Sequence, residues 1–252
     1  MTKRLAIYLT NTERSGWDKP YANYAAMIAE LLAPLLPNHV IELFDAVTGK
    51  LPPVPEDYDG VVLTGSIANV TEQEPWMAEL YEHIRRLDKA RVKLVGICFG
   101  HQAIVHALGG LVGVAEPQVG CRTMVLQEQA HWMHPWQENI SLYCGNFQQV
   151  QVLPAGFRVL ASQEQCAVPL YAKGEHILGC QYHPEFDRKY AQLYLQRVEG
   201  KLSPAAFARE QRQLIDQSDG AVELGTMDTV AENTVPNEII QKENSKNFIF
   251  TT

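Results

Sequence analysis

Short apolar runs alternate with amphipathic stretches through the first hundred residues, and this alternation restricts the fold more than any other feature. Residues 5–9, 40–44, 60–64 and 93–97 are brief, mainly apolar segments that read as strands. Between them, residues 21–33 place Tyr24, Met27, Ile28, Leu31 and Leu32 at helical spacing and end at Pro34 and Pro37. Residues 74–87 repeat the pattern, with Trp76, Leu80, Ile84 and Leu87 on one stripe. Strands separated by helices in this way predict an α/β fold, a mostly parallel central sheet with helices on both faces.

The texture changes after residue 110. Residues 123–126, 141–144, 159–161, 168–171 and 177–181 are short β-rich pieces separated by Gly, Pro and polar turns. They predict additional antiparallel strands, some extending the main sheet. Two further helices are expected, at 187–198 and 204–217, the second with Ser203 as N-cap and Pro204 at its first position. No repeat or linker divides residues 1–217, which therefore read as one domain. Residues 218–252 carry six acidic against two basic residues and read as an acidic tail, weakly structured or wrapped on the surface.

Composition removes several classes of function. With 46% hydrophobic and 20% charged residues a large core is available, and the net charge of −8 offers no general attraction to nucleic acid or anionic membranes. The apolar start stops at Thr10, too short for a secretory signal, and no apolar run approaches the roughly 20 residues that span a bilayer. Five scattered cysteines (98, 121, 144, 166, 180) do not suit a disulfide framework, so a cytoplasmic location is expected.

The chemistry centres on Gly96-Ile97-Cys98-Phe99-Gly100-His101-Gln102, where a strand runs into Gly-x-Cys-x-Gly and then into an apolar helix. Glycines on both sides permit a sharp strand-to-helix turn that lifts a nucleophile above the sheet. A sulfur at a helix N-terminus is favoured as thiolate, and the Phe99 N–H points toward an oxyanion formed beside it. A nucleophile needs a base and the base an orienting group. Gln181-Tyr182-His183-Pro184-Glu185 follows another strand. Pro184 favours an extended backbone at His183, so Glu185 lies on the same side and can hold one ring nitrogen while the other meets Cys98. A second oxyanion donor is expected from Gly65 or Ser66, in the turn leaving the third strand at the same carboxyl edge.

These segments, with Leu108-Gly109-Gly110, resemble the class I (triad) glutamine amidotransferases, in particular stand-alone GMP synthase-like homologues. Glu74-Pro75-Trp76, residues 152–157 and Cys166 ahead of Ile177-Leu178-Gly179 support the likeness, which spans about residues 5–186. The resemblance implies a flavodoxin-like sheet and a Cys98–His183–Glu185 triad that hydrolyses the side-chain amide of glutamine, or a related γ-glutamyl amide, through a γ-glutamyl thioester. It implies no metal and no cofactor, Gln102 at the substrate, and a synthetase partner in trans where ammonia is passed on. One segment departs from the family. Where relatives carry His-x-Asp in a loop that reads the amino-acid end of glutamine, this chain has Asn146-Phe147-Gln148-Gln149. Losing a carboxylate removes a charge-assisted partner for an α-ammonium, worth about 1.5–3 kcal/mol. A γ-glutamyl peptidase acting on something other than free glutamine is therefore an alternative, as is a non-catalytic regulatory module of the same fold.

Other candidates carry less. His131 and His134, flanking Trp132 and Met133, are a possible metal pair without a third ligand at an obvious spacing. His101 and His106 read as packing residues, as do Trp132 and Trp136, and the remaining four cysteines read as small buried hydrophobes. Gly109, Gly110 and Gly113 follow a helix and make no dinucleotide fingerprint.

Overall fold

The structure, a computed structural model, describes residues 2–72, 74–128 and 137–216. In chain order the elements are β1 (Lys3–Leu9), α1 (Tyr24–Leu32), β2 (His39–Asp45), β3 (Gly60–Leu63), α2 (Pro75–Ala90), β4 (Lys93–Ile97) and α3 (Phe99–Ala107). There follow β5 (Leu111–Leu126), β6 (Asn139–Val152), β7 (Phe157–Val159), β8 (Ala161–Ser162), β9 (Leu170–Lys173), β10 (Ile177–Cys180), α4 (Arg188–Arg197) and α5 (Pro204–Asp216).

Seven strands form the main sheet in the order β2-β1-β3-β4-β10-β9-β7. The first five run parallel, and β9 and β7 add an antiparallel edge. Side chains along β1 alternate between two cores, as a pleated strand with both faces covered requires. Leu5, Ile7 and Leu9 pack with α1 on one face, and Ala6 and Tyr8 pack with α2 and α3 on the other. The helices begin where side chains can satisfy their free N–H groups: Asn23 accepts from Ala26 N–H at 3.1 Å and Asp187 from Tyr190 N–H at 2.7 Å. The first helix accordingly starts at Tyr24, three residues later than its apolar spacing suggests.

A second sheet, β6-β5-β8, is antiparallel. Here the sequence reading needs correcting, because the pieces expected at 123–126 and 141–144 are the ends of one long hairpin. Pro117 cannot donate to a ladder, so the strands stay paired by bulging, with a register break between Val114 and Gln118. Residues 146–148 lie opposite that break, so the segment expected as a loop is the middle of β6. α4 and α5 pack against this sheet, and a 2.9 Å ion pair between Arg122 on β5 and the buried Glu210 on α5 joins them. The acidic tail and the His131/His134 pair, with Trp132 and Trp136, lie outside the described residues. Among the described residues no helix is long and apolar enough to cross a membrane.

Candidate active site

Because β3, β4 and β10 are adjacent and parallel, the residues that follow them emerge side by side at one rim. Cys98 follows β4 with φ 50° and ψ −100°, a left-handed conformation that a residue with a Cβ adopts only when its surroundings enforce it. The enforcement is visible. A Cβ at Gly96 would lie 2.5 Å from the carbonyl of Gly100, and one at Gly100 would lie 2.5 Å from the Leu63 carbonyl oxygen. The elbow is then tied to both neighbours: Cys98 N–H donates to Cys180 O at 2.9 Å and Gly100 N–H to Thr64 O at 3.1 Å.

On the other side of the thiol, His183 N–H donates to Tyr143 O of β6 at 2.8 Å, so the second sheet holds the turn after β10. The His183 ring bonds Glu185 Oε1 through Nδ1 at 2.7 Å, and the Cys98 side chain lies close enough to act on its charge. Phe186 stacks on the ring at 3.9 Å and 10°, and Tyr24 meets it edge-on at 6.0 Å. Burial alone would depress this imidazole, but the Glu185 carboxylate and the Cys98 sulfur outweigh it and push the ring up to about 10.

The turn after β3 closes the third side. A Cβ at Gly65 would come within 2.7 Å of His183 Cε1 and 3.6 Å of Cys98 Cβ, so this position has room only for glycine. Thr10 holds the turn from below: its N–H donates to Thr64 Oγ1 at 3.0 Å, and its hydroxyl lies 2.9 Å from Thr64 O. Ser66 Oγ accepts from Ala68 N–H at 3.1 Å, curling residues 66–69 around the rim.

Cys98 opens into a cleft of about 200 Å³, also lined by Ser66, Gln102, Asn146, Phe147 and Gln148. Gln102 lies mostly behind this wall, its amide N–H groups going to Gln148 O at 2.8 Å and Gln181 Oε1 at 3.0 Å. Asn146 Oδ1 and Gln148 Oε1 are buried without a partner. Gln149 turns away and donates to Gln165 O at 3.0 Å. His101 is wholly buried against Tyr171, and burial pushes it down to about 3, so it packs and does not carry protons near neutral pH. Cys121, Cys144, Cys166 and Cys180 are buried and unbonded to one another.

The far wall was not legible in the sequence. Glu13 and Trp17 from the β1–α1 connection, Arg197 at the end of α4, and Val198 and Lys201 just after it line the same cleft. None belongs to a motif. A basic residue in the last turn of a helix is ordinary, and only the folded chain brings these residues into one cleft with Cys98.

A cysteine elbow beside a His–Glu pair, at the carboxyl rim of a mostly parallel sheet, is the candidate site of an α/β protein. Residues 30–197 match the family described as "Glutamine amidotransferase class-I". The chain is 26% identical to gamma-glutamyl peptidase 3 of Arabidopsis thaliana over 258 aligned residues, covering 98% of this chain and 96% of that one. It is 31% identical to a component of the glutamine-hydrolyzing GMP synthase of Saccharolobus solfataricus over 130 residues, covering 51% and 68%. In three dimensions it resembles a glutamine amidotransferase from Thermotoga maritima, with a TM-score of 0.72 at 14% identity, covering 98% and 96%. The chain belongs to the class I glutamine amidotransferase family.

Proposed function

We propose that this chain is a hydrolase of γ-glutamyl amides that works through a thioester on Cys98. The observation that carries the reading is the His183 ring held between the Glu185 carboxylate and the Cys98 thiol. With the proton resting on His183, the sulfur attacks the γ-carbonyl carbon, and the resulting oxyanion accepts from N–H groups of Gly65, Ser66 and Phe99. His183 then protonates the leaving nitrogen as the C–N bond breaks, releasing ammonia or an amine. In the second half the same ring takes a proton from water, which attacks the thioester and frees the γ-carboxylate. Glu185 keeps the ring oriented and balances its charge throughout. Gln102, Asn146, Phe147 and Gln148 line the path of the substrate.

One feature favours an amide other than free glutamine: the plant relative that spans nearly the whole chain is named a γ-glutamyl peptidase. A synthetase partner in trans belongs to the other version, in which ammonia is handed on as in a two-component GMP synthase. Five cysteines outside any disulfide, one of them at the site, suit a reducing compartment, and the cytoplasm is the location this reading carries. The test is incubation of the purified chain with glutamine and a panel of γ-glutamyl peptides, following release of ammonia, amine and glutamate. Turnover that disappears in Cys98→Ala supports the reading, whereas no turnover of any γ-glutamyl amide, or full activity in that variant, rejects it. Ammonia release from glutamine that rises sharply only when a second protein is added decides for the synthetase version.

A further inference from the structure

The triad chemistry makes no use of the two opposite charges at the mouth of the cleft, Glu13 and Arg197. Both line the cleft that contains Cys98, yet they are supplied by different parts of the fold. Glu13 is held firmly. Its Oε1 accepts from Ser15 N–H at 2.7 Å, and its own N–H donates to Asn11 Oδ1 at 3.2 Å. That Asn11 oxygen also lies 3.4 Å from Ile67 N–H in the turn after β3, so the Glu13 loop is pinned to the rim. Arg197 comes from the end of α4, where its guanidinium carbon lies 6.0 Å from the centre of the Trp17 ring. The two meet only loosely, Arg197 Nη2 to Glu13 Oε2 at 3.5 Å, whereas Arg122–Glu210 closes to 2.9 Å and Arg4–Glu42 to 2.8 Å. Well-formed pairs of this kind sit near 2.7–2.9 Å.

Two separately anchored charges that barely touch are complementary to a ligand that presents the opposite charges next to each other. An α-amino acid head does this, with an ammonium and a carboxylate on one carbon. The same cleft adds further acceptors. Asn146 Oδ1 and Gln148 Oε1 belong to cleft-lining residues and are buried without a partner, and Asn146 is only 3% exposed. An ammonium has three N–H donors, and Glu13, Asn146 and Gln148 offer three acceptors. We infer that Glu13 and Arg197 form the subsite for the amino-acid head of the γ-glutamyl group, Glu13 taking the α-ammonium and Arg197 the α-carboxylate. The carboxylate that position 148 lacks is thus supplied by a different segment of the chain. The inference rests on the γ-glutamyl hydrolase reading for the identity of its ligand, but its test does not depend on turnover.

The test is titration calorimetry on the Cys98→Ala protein, which holds the ligand without consuming it. Three probes are compared: L-glutamine, glutaramate (the same amide without the α-ammonium) and 4-aminobutanamide (without the α-carboxylate). L-Glutamine is expected to bind at least about tenfold more tightly than either analogue, since each loses a charge-assisted contact. Adding Glu13→Gln should erase the preference over glutaramate and keep that over 4-aminobutanamide, and adding Arg197→Gln should do the reverse. No preference in the Cys98→Ala protein, no binding of L-glutamine, or a uniform loss of all three probes in the double variants overturns the subsite, the last because a purely structural ion pair would behave that way. Head-selective binding without hydrolysis by the wild-type chain sinks the hydrolase reading alone, and hydrolysis without head selectivity sinks the subsite alone.

Discussion

At the amino end of β10, His176 Nε2 lies 2.9 Å from Asp88 Oδ1, and at its carboxyl end His183 Nδ1 lies 2.7 Å from Glu185 Oε1. Both histidine side chains are almost fully buried, at 5% and 4% exposure, and both carboxylates are partly or wholly enclosed. The third member separates the two pairs. Asp88 gives its second oxygen to the Lys173 ammonium, which closes the cluster with a fixed positive charge. Glu185 Oε2 is left without a partner, and the His183 ring turns to a thiol that opens into a cleft. The same kind of pair is closed by a lysine at the edge where the parallel strands begin and left open to a thiol and a cleft at the edge where they end. In open α/β sheets ligands collect at that second edge.

Breaking the carboxyl-end cluster should have the largest effect. Cys98→Ala is expected to lower γ-glutamyl amide turnover by about 10⁴-fold or more while the circular dichroism spectrum stays unchanged, since the proposed nucleophile is removed. Glu185→Gln should cost about 10²–10³-fold at neutral pH and move the alkaline limb of the kcat/KM profile to lower pH, because the carboxylate is one of the groups that raise the ring. Its stability signature has a definite sign. The raised His183 contributes fully below its ordinary value of 6.5, and that contribution is lost as pH climbs through about 10. Thermal melts should therefore soften between pH 7 and pH 10 in the wild type and do so less in Glu185→Gln.

Gly65→Ala follows, at about 10²-fold in kcat, since its methyl group displaces the His183 ring by a fraction of an ångström or more. The smallest catalytic effect is expected at the amino end. Asp88→Asn should cost about 1–3 kcal/mol in denaturant unfolding yet leave turnover within about twofold of wild type. The Asp88 carboxyl is held below its ordinary 3.8, burial opposing and the Lys173 and His176 contacts prevailing, so its contribution is present above that pH and fades as pH falls below it. A large loss of activity in Asp88→Asn, with stability untouched, would erase the distinction between the two ends.

The geometry of the candidate site was readable in the chain because it is local. Gly-x-Cys-x-Gly fixes its own turn, and His183 and Glu185 stand two apart on extended backbone, so the elbow and the His–Glu contact follow from sequence spacing. The parallel half of the sheet was readable for a similar reason, since each strand and helix carries its own apolar period. The β5–β6 hairpin was not, because Pro117 and the glycines of β5 look like turn residues until a partner strand tolerates them in a bulge. The far wall of the cleft was least visible. Glu13 and Arg197 are 184 positions apart, and nothing in the neighbourhood of either marks it as facing Cys98.

The elbow glycines have a practical consequence for anyone reshaping this protein. With Gly96 and Gly100 pressed against backbone and Gly65 against an imidazole, mutagenic libraries aimed at the strand ends will consist mostly of inactive clones. New substrate ranges are best sought by varying Glu13 in the β1–α1 connection and Arg197 in the last turn of α4, which line the same cleft, while the rim is left alone.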